Sequence, residues 1–190
     1  MRTLLKLFIA MLLLSGSVVS GQAAVTRYPV FTEVQKDTLP VPKNIKNLLF
    51  YVQRDPNINT VIYELNLTPE GKVNEKEPVK IYWIRYAEKG EHKELNYFQR
   101  KLAYGLDVKK LSATNFELRF VCYPKLAFYL SKDTNGKYHV YTDINQKKAI
   151  LNRAFVRIKG GTFWVPNVVH VNLFGREAAT GKEISTRFKP

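Results

Sequence analysis

Arginine and lysine side chains alternate with aromatic side chains in several segments of this 190-residue chain. The segments are YWIRY at 82–86, FQRKLAY at 98–104 and RAFVR at 153–157. An arginine is a planar fork that grips a carboxylate, phosphate or sulfate, and an aromatic ring offers a stacking surface. The combination predicts a site for an anionic or sugar-like ligand. The candidate contacts are Trp83, Arg85, Tyr86, Arg100, Tyr104, Arg119 and Arg157.

The same segments also have a purely structural interpretation. Strands favour aromatic residues, and a half-buried sheet exposes long charged side chains on its solvent face. Alternation along a strand places Trp83 and Arg85 on one face and Tyr86 on the other. The seven candidates therefore do not all line one site.

Histidines and carboxylates give a weaker indication of chemistry. The chain lacks the common zinc, phosphate-loop, nucleophile-elbow and calcium motifs. His139 and His170 fall on predicted strands, where Asp143 could join them as metal ligands or as the acid and base of a hydrolase. We expect these histidines to be packed or surface residues, and we expect no metal and no cofactor. No set of catalytic residues follows from the sequence.

Short β-prone segments recur from residue 48 onwards and are separated by turns rich in Pro, Gly, Asn and Asp. The predicted strands are 48–54, 59–67, 79–86, 116–123, 127–131, 138–144, 150–159, 168–174 and 183–188. Short strands without a repeating helix favour an all-β, mainly antiparallel fold. We predict a β-barrel or β-sandwich of roughly nine or ten strands.

One segment departs from the strand pattern. Leu95, Phe98 and Leu102 recur at helical spacing and predict the apolar face of a helix. Asn96 begins a capping-box pattern at its N-terminus. We therefore predict one short helix near 96–104.

The first residues have the order of a cleavable signal peptide. A positive start at Arg2 and Lys6 precedes a short apolar run and then small residues. The apolar run is shorter than the ~20 residues that a bilayer span needs. We expect a signal peptide at 1–23, an N-terminal arm at 24–47 and a single β domain at 48–190.

Charge and cysteine content bound the location and the partners. The formal net charge is +14. Cleavage near residues 21–23 would deliver the domain to the periplasm or the cell exterior. We expect that the domain does not span a membrane. Export argues against nucleic acid and favours a small ligand or an anionic or glycan envelope component as the partner. The single cysteine, Cys122, excludes an internal disulfide and is predicted to be buried in a strand.

Several collinear segments carry a resemblance to a known family. They are PVPKNI at 40–45, LFYVQR at 49–54, NTVIYELN at 59–66, VKIYWIRY at 79–86, YFQRKLAYGL at 97–106, FELRFV at 116–121, YHVY at 138–141, FW at 163–164, PNV at 166–168 and ATGKE at 179–183. Together they resemble a family of bacterial exported domains known as domain of unknown function 4833. The resemblance covers about residues 40–190, implies export, and supplies no activity, ligand or catalytic residue.

Three functional hypotheses follow. The first is a non-catalytic binding protein of the cell envelope for an anionic, sugar-like or apolar ligand. The second is an envelope hydrolase acting on carbohydrate or peptide. The third is a structural or interaction subunit of an envelope assembly. The oligomeric state is left open.

Overall fold

The computed structural model describes residues 39–55, 57–162 and 166–190, which belong to one compact unit. The predicted signal peptide at 1–23 and residues 24–38 of the predicted arm lie outside the described residues, as does the FW pair at 163–164.

Strands make up most of the described residues. They are β1 (Leu48–Asp55), β2 (Thr60–Leu65), β3 (Val79–Arg85), β4 (Glu91–Glu94), β5 (Leu106–Lys110), β6 (Phe116–Phe120), β7 (Tyr123–Lys132), β8 (Tyr138–Ile144), β9 (Lys147–Gly161), β10 (Pro166–Glu177) and β11 (Glu183–Phe188). A 3₁₀ turn, Tyr86–Glu88, follows β3. The short helix α1 (Tyr97–Gln99) continues directly into a π-helical turn, Arg100–Tyr104. No helix in the described part of the chain has the length and apolar character needed to cross a bilayer.

The strands form one curled sheet in the order β4-β3-β2-β1-β9-β8-β7-β6-β5, with β10 paired to β9 and β11 paired to β10. The pairs are antiparallel except β1 with β9, which run parallel with Tyr51 opposite Arg153. The sheet curls into a half-barrel, which confirms the predicted mostly-β, mainly antiparallel class.

The core lies inside the curl. Phe50 on β1 stacks on Tyr63 of β2 at a ring-centroid distance of 4.3 Å and faces Phe128 of β7 at 6.4 Å. Because β1 and β7 are separated by β9 and β8 in the sheet order, this contact requires the sheet to fold over on itself. Full burial of a phenylalanine such as Phe50 contributes about 1.5–3 kcal/mol.

Residues before β1 cover part of the outer face of the sheet. The Gln53 side chain is only 2% exposed. Its amide nitrogen donates hydrogen bonds to the Pro40 backbone oxygen at 2.7 Å and to the Thr60 hydroxyl at 3.1 Å. The segment that begins the described chain is therefore tied to β1 and β2 through a buried amide.

The helix forms where the sequence predicts it, but the prediction of its apolar face is wrong. Leu95 is buried, whereas Phe98 and Leu102 are 55% and 57% exposed. The π-helical turn widens the spacing of side chains and changes which residue points inward. Tyr104, rather than Leu102, lies against Trp83, at a centroid distance of 5.0 Å.

The predicted burial of Cys122 is also wrong, since this residue is exposed. β6 ends at Phe120, and residues 121–122 form the turn into β7. The strand alternation that placed Cys122 beside the inward residues of β6 stops before it reaches the cysteine.

Candidate anion-binding cleft

A cleft of about 230 Å³ opens where β1 and β3 end beside α1. We call it the Arg54 cleft. Its lining residues are Arg54, Asn57, Asn59, Trp83, Arg85, Lys93, Glu94, Asn96 and Gln99.

Strand alternation positions the floor of the Arg54 cleft. Phe50 and Val52 are buried inward residues of β1, and Arg54 follows them on the same face at the end of the strand. On β3, Trp83 is buried and Arg85 follows it on the same face. The core therefore ends at the cleft, where inward positions change from apolar residues to arginines.

Arg54 is a partly buried cation between two aromatic rings. Its guanidinium carbon lies 5.8 Å from the Trp83 ring centroid and 5.9 Å from that of Tyr104. No ion pair links it to a carboxylate in residues 39–55, 57–162 and 166–190, and the neighbouring Asp55 binds Arg157 instead. Its buried Nε has no hydrogen-bond partner there. Arg54 therefore has both charge and a donor available to a ligand.

The Tyr104 ring is one of the two aromatic rings that flank the Arg54 guanidinium. Burial raises the pKa of Tyr104, and the positive charge of Arg54 opposes that shift. A tyrosine phenol is already neutral near pH 7 at its ordinary pKa of about 10, and the raised pKa of Tyr104 extends the neutral range to higher pH. The positive charge of Arg54 is therefore not cancelled by a phenolate.

Three side-chain amides on the cleft wall have their oxygens occupied. Gln99 Oε1 accepts hydrogen bonds from the Trp83 indole at 3.3 Å and from the Asn96 backbone at 3.1 Å. Asn96 Oδ1 accepts from the Gln99 backbone at 2.9 Å, and Asn57 Oδ1 from the Asn59 backbone at 2.7 Å. Because these partners can only donate, the oxygen assignment is fixed, and the NH₂ group of each amide has no hydrogen bond within the described residues. The wall thus presents donors.

Other charges at the Arg54 cleft are compensated, with one exception. Arg85 binds Glu88 at 2.5 Å and Glu91 at 3.3 Å. Glu94, the carboxylate in the lining, is held by Arg100 at 3.2 Å. Lys93 forms no ion pair within the described residues.

The 3₁₀ turn after β3 fixes the upper rim of the cleft. Asn59 Oδ1 accepts a hydrogen bond from the Ala87 backbone at 3.1 Å, and Asn59 Nδ2 lies 3.5 Å from Glu88. The loop before β2 and the turn after β3 are thereby held together beside Arg85.

The sequence-predicted contacts separate into two groups. Trp83 and Arg85 line the Arg54 cleft, Tyr104 contacts Trp83, and Arg100 binds Glu94 at its edge.

The remaining three lie elsewhere. Tyr86 is in the 3₁₀ turn, and burial raises its pKa. Arg119 on β6 donates to Glu117 at 2.7 Å, and Arg157 on β9 binds Asp55. Neither arginine is in the cleft lining.

The candidate residues His139, His170 and Asp143 have different surroundings and are not grouped at one site. His139 Nε2 lies 3.1 Å from Asp133 Oδ2 in the hairpin between β7 and β8. His170 lies on β10, where partial burial and two neighbouring arginines lower its pKa. Asp143 is exposed on β8. Within the described residues no three His, Cys, Asp or Glu side chains are grouped to hold a metal ion.

Sequence reasoning missed Arg54 and the amides Asn57, Asn96 and Gln99 as cleft residues. One signal could have found Arg54, because it takes the inward position after Phe50 and Val52 in an alternating strand. A charged residue at an inward strand position is unusual unless it is paired or functional.

The fold and the cleft together define a β-rich half-barrel domain with a donor-rich cleft beside the short helix α1. Residues 50–187 match the family model described as Domain of unknown function (DUF4833). The chain belongs to this family, which confirms the resemblance seen in the sequence. No curated protein and no solved structure matches the chain.

Proposed function

We propose that this protein is an exported, non-catalytic binding protein that holds a small carboxylate in the Arg54 cleft. The observation that carries the proposal is the Arg54 guanidinium, which is partly buried between Trp83 and Tyr104 without a carboxylate partner in the described residues. Charges are rarely buried without a partner, and a bound anion would supply one. Export to the periplasm or the cell exterior rests on the leader in the sequence.

The form of the guanidinium favours a carboxylate. Its planar edge can donate two parallel hydrogen bonds to the two oxygens of one carboxylate. The NH₂ groups of Asn57, Asn96 and Gln99 add neutral donors, which suit further oxygens of the same ligand. An apolar ligand is disfavoured because these groups would lose their water without compensation.

The size of the cleft favours a small ligand or a small part of a larger one. Pockets for drug-sized molecules have volumes of ~300–1,000 Å³. At about 230 Å³ the Arg54 cleft is smaller. A cleft of this size suits a single acidic group together with the few ligand atoms bonded next to it.

The first prediction concerns the Arg54→Leu variant. Hydrogen bonds to charged groups contribute about 1.5–3 kcal/mol, so the variant should bind a carboxylate ligand roughly 10- to 150-fold more weakly. The measurement is calorimetric titration with galacturonate, with neutral galactose as the ligand control. Arg119→Leu is the matched control, since Arg119 already donates to Glu117 outside the cleft. Equal affinity of wild type and Arg54→Leu for galacturonate would contradict the proposal.

A further inference from the structure

A second, broader groove lies on the other face of β3 and β4. Its volume is about 530 Å³. We call it the Tyr82 groove, and its lining residues are Asn44, Ile45, Lys46, Glu64, Lys80, Tyr82, His92, Lys93 and Glu94. It shares Lys93 and Glu94 with the Arg54 cleft. Both residues belong to β4, which ends the strand order of the described sheet.

Two aromatic rings in contact with each other line the Tyr82 groove. The rings of Tyr82 and His92 stack at a centroid distance of 5.2 Å and an interplanar angle of 27°. The Tyr82 hydroxyl donates to Glu64 Oε2 at 2.9 Å, which fixes the orientation of the ring. Burial, and after it the hydrogen bond to Glu64, raises the pKa of Tyr82, so the phenol remains a donor.

The rim of the Tyr82 groove offers both donors and acceptors. Lys46, Lys80 and Lys93 form no ion pairs within the described residues. Glu64 and Glu94 supply carboxylate oxygens nearby. Hydroxyl groups both donate and accept hydrogen bonds, so a mixed rim suits a polyhydroxylated ligand. The exposed His92 ring, which stacks on Tyr82 beside this rim, offers a surface for the apolar face of a sugar.

The two sites therefore complement each other across a single strand. Neighbouring strands are ~4.8 Å apart. One ligand that extends over the edge strand β4 can therefore reach from the Arg54 cleft to the Tyr82 groove. The Arg54 cleft suits an acidic group, and the Tyr82 groove suits sugar rings. We propose that the ligand is a uronic-acid-containing oligosaccharide, with its acidic end in the Arg54 cleft and its following rings on the Tyr82 groove. This inference rests on the proposed function, because the acidic end is the carboxylate of the Arg54 cleft.

The second prediction compares ligands of increasing length. Galacturonic and mannuronic acid and their di- and trisaccharides are titrated while the tryptophan fluorescence of the protein is followed, to which Trp83 in the lining of the Arg54 cleft contributes. In at least one series the trisaccharide should bind about tenfold or more tightly than the monosaccharide, because only the longer ligand reaches the Tyr82 groove.

Variants separate the two sites. The double variant Lys80→Ala/His92→Ala should reduce trisaccharide affinity to that of the monosaccharide and leave monosaccharide affinity unchanged. Both residues are exposed, so the fold should tolerate the change. Tyr129→Ala is the matched control, since Tyr129 is an exposed aromatic residue of β7 outside both linings. Arg54→Leu should weaken binding of every length.

The outcomes distinguish this inference from the function on which it rests. If mono- and trisaccharide bind equally, and both need Arg54, the oligosaccharide inference is wrong and the carboxylate-binding function stands. If the double variant binds the trisaccharide as wild type does, the Tyr82 groove is not the second subsite. If no acid binds in an Arg54-dependent way, both proposals fail.

Discussion

At the residue scale, Tyr63 connects the hydrophobic core to the wall of the Arg54 cleft. Its ring is fully buried and stacks on Phe50. Its hydroxyl donates a hydrogen bond of 2.8 Å to the backbone oxygen of Tyr104, whose ring faces Trp83. Burial raises the pKa of Tyr63 well above its ordinary value, so the phenol stays a donor across the accessible pH range. One hydroxyl thus holds the end of the π-helical turn in place.

The third prediction is that Tyr63→Phe lowers the free energy of unfolding by about 1–2 kcal/mol. The variant keeps the stacked ring but removes the donor to the Tyr104 oxygen. Urea unfolding measures the difference. Tyr138→Phe is the control, because the Tyr138 hydroxyl has no hydrogen bond in the described residues, and its loss should stay within ~0.5 kcal/mol. Equal losses in the two variants would show that the Tyr63 hydroxyl does not support the turn.

Residue types alone could indicate the chemistry of the cleft, but they could not indicate which side chains surround Arg54. The basic and aromatic segments point to Trp83 and Arg85, which do line the cleft. The side chains around Arg54 are the rings of Trp83 and Tyr104, which belong to other elements of the fold. These contacts follow from the tertiary structure, and no local pattern in the sequence reports them.

At the scale of elements, strands with an alternating sequence pattern are predictable, and exposed edge strands without one are not. β8 and β11 have the bounds that sequence alternation indicates, Tyr138–Ile144 and Glu183–Phe188. β4, with the sequence EHKE, and β5, with LDVKK, were missed. Each ends the strand order, and β4 has no buried residue. A strand without a buried face has no reason to alternate, and charge on edge strands also opposes aggregation.

Gly105 shows a constraint of the helical segment that sequence reasoning does not reveal. A side chain there would place its Cβ 1.9 Å from the Arg100 backbone oxygen. Gly105 has an extended conformation with φ of −66°, so close approach, rather than a left-handed conformation, requires the glycine. The π-helical turn closes directly onto this residue.

The fourth prediction is that Gly105→Ala lowers the free energy of unfolding by about 1–3 kcal/mol, because the turn must shift to admit the methyl group. The same shift should move Tyr104 away from Trp83 and change the tryptophan fluorescence of the protein, to which Trp83 contributes. Lys101→Ala, an exposed change in the same turn, is the control and should alter stability by no more than ~0.5 kcal/mol. If Gly105→Ala behaves like Lys101→Ala, the turn is not sterically fixed.

At the scale of the whole molecule, β9 organises the sheet. It pairs with β8 near its start, with β1 further along, and with β10 over most of its length. The parallel β1–β9 pair joins the first and ninth strands and brings the two halves of the sheet together over one core. Composition and alternation predict the mostly-β class, but they do not state which strands pair across the length of the chain. The half-barrel therefore emerges only from the structure.

The last prediction concerns stability and redox state together. The chain has one cysteine, so no disulfide within the chain stabilises the fold. The midpoint of thermal unfolding should be the same with and without dithiothreitol, and unchanged in Cys122→Ser. Cys122 is nonetheless exposed, and partial desolvation raises its pKa.

Because the thiolate is the reactive form, disulfide-linked dimers should form slowly near neutral pH. Their rate of formation should rise about tenfold for each unit of increase in pH, as long as the pH stays below that pKa. Non-reducing electrophoresis after timed oxidation measures the rate, and Cys122→Ser supplies the control without dimers. A pH-independent rate would contradict the raised pKa. A midpoint that falls on reduction would mean that a covalent link between two chains, rather than the core of one, stabilises the folded protein.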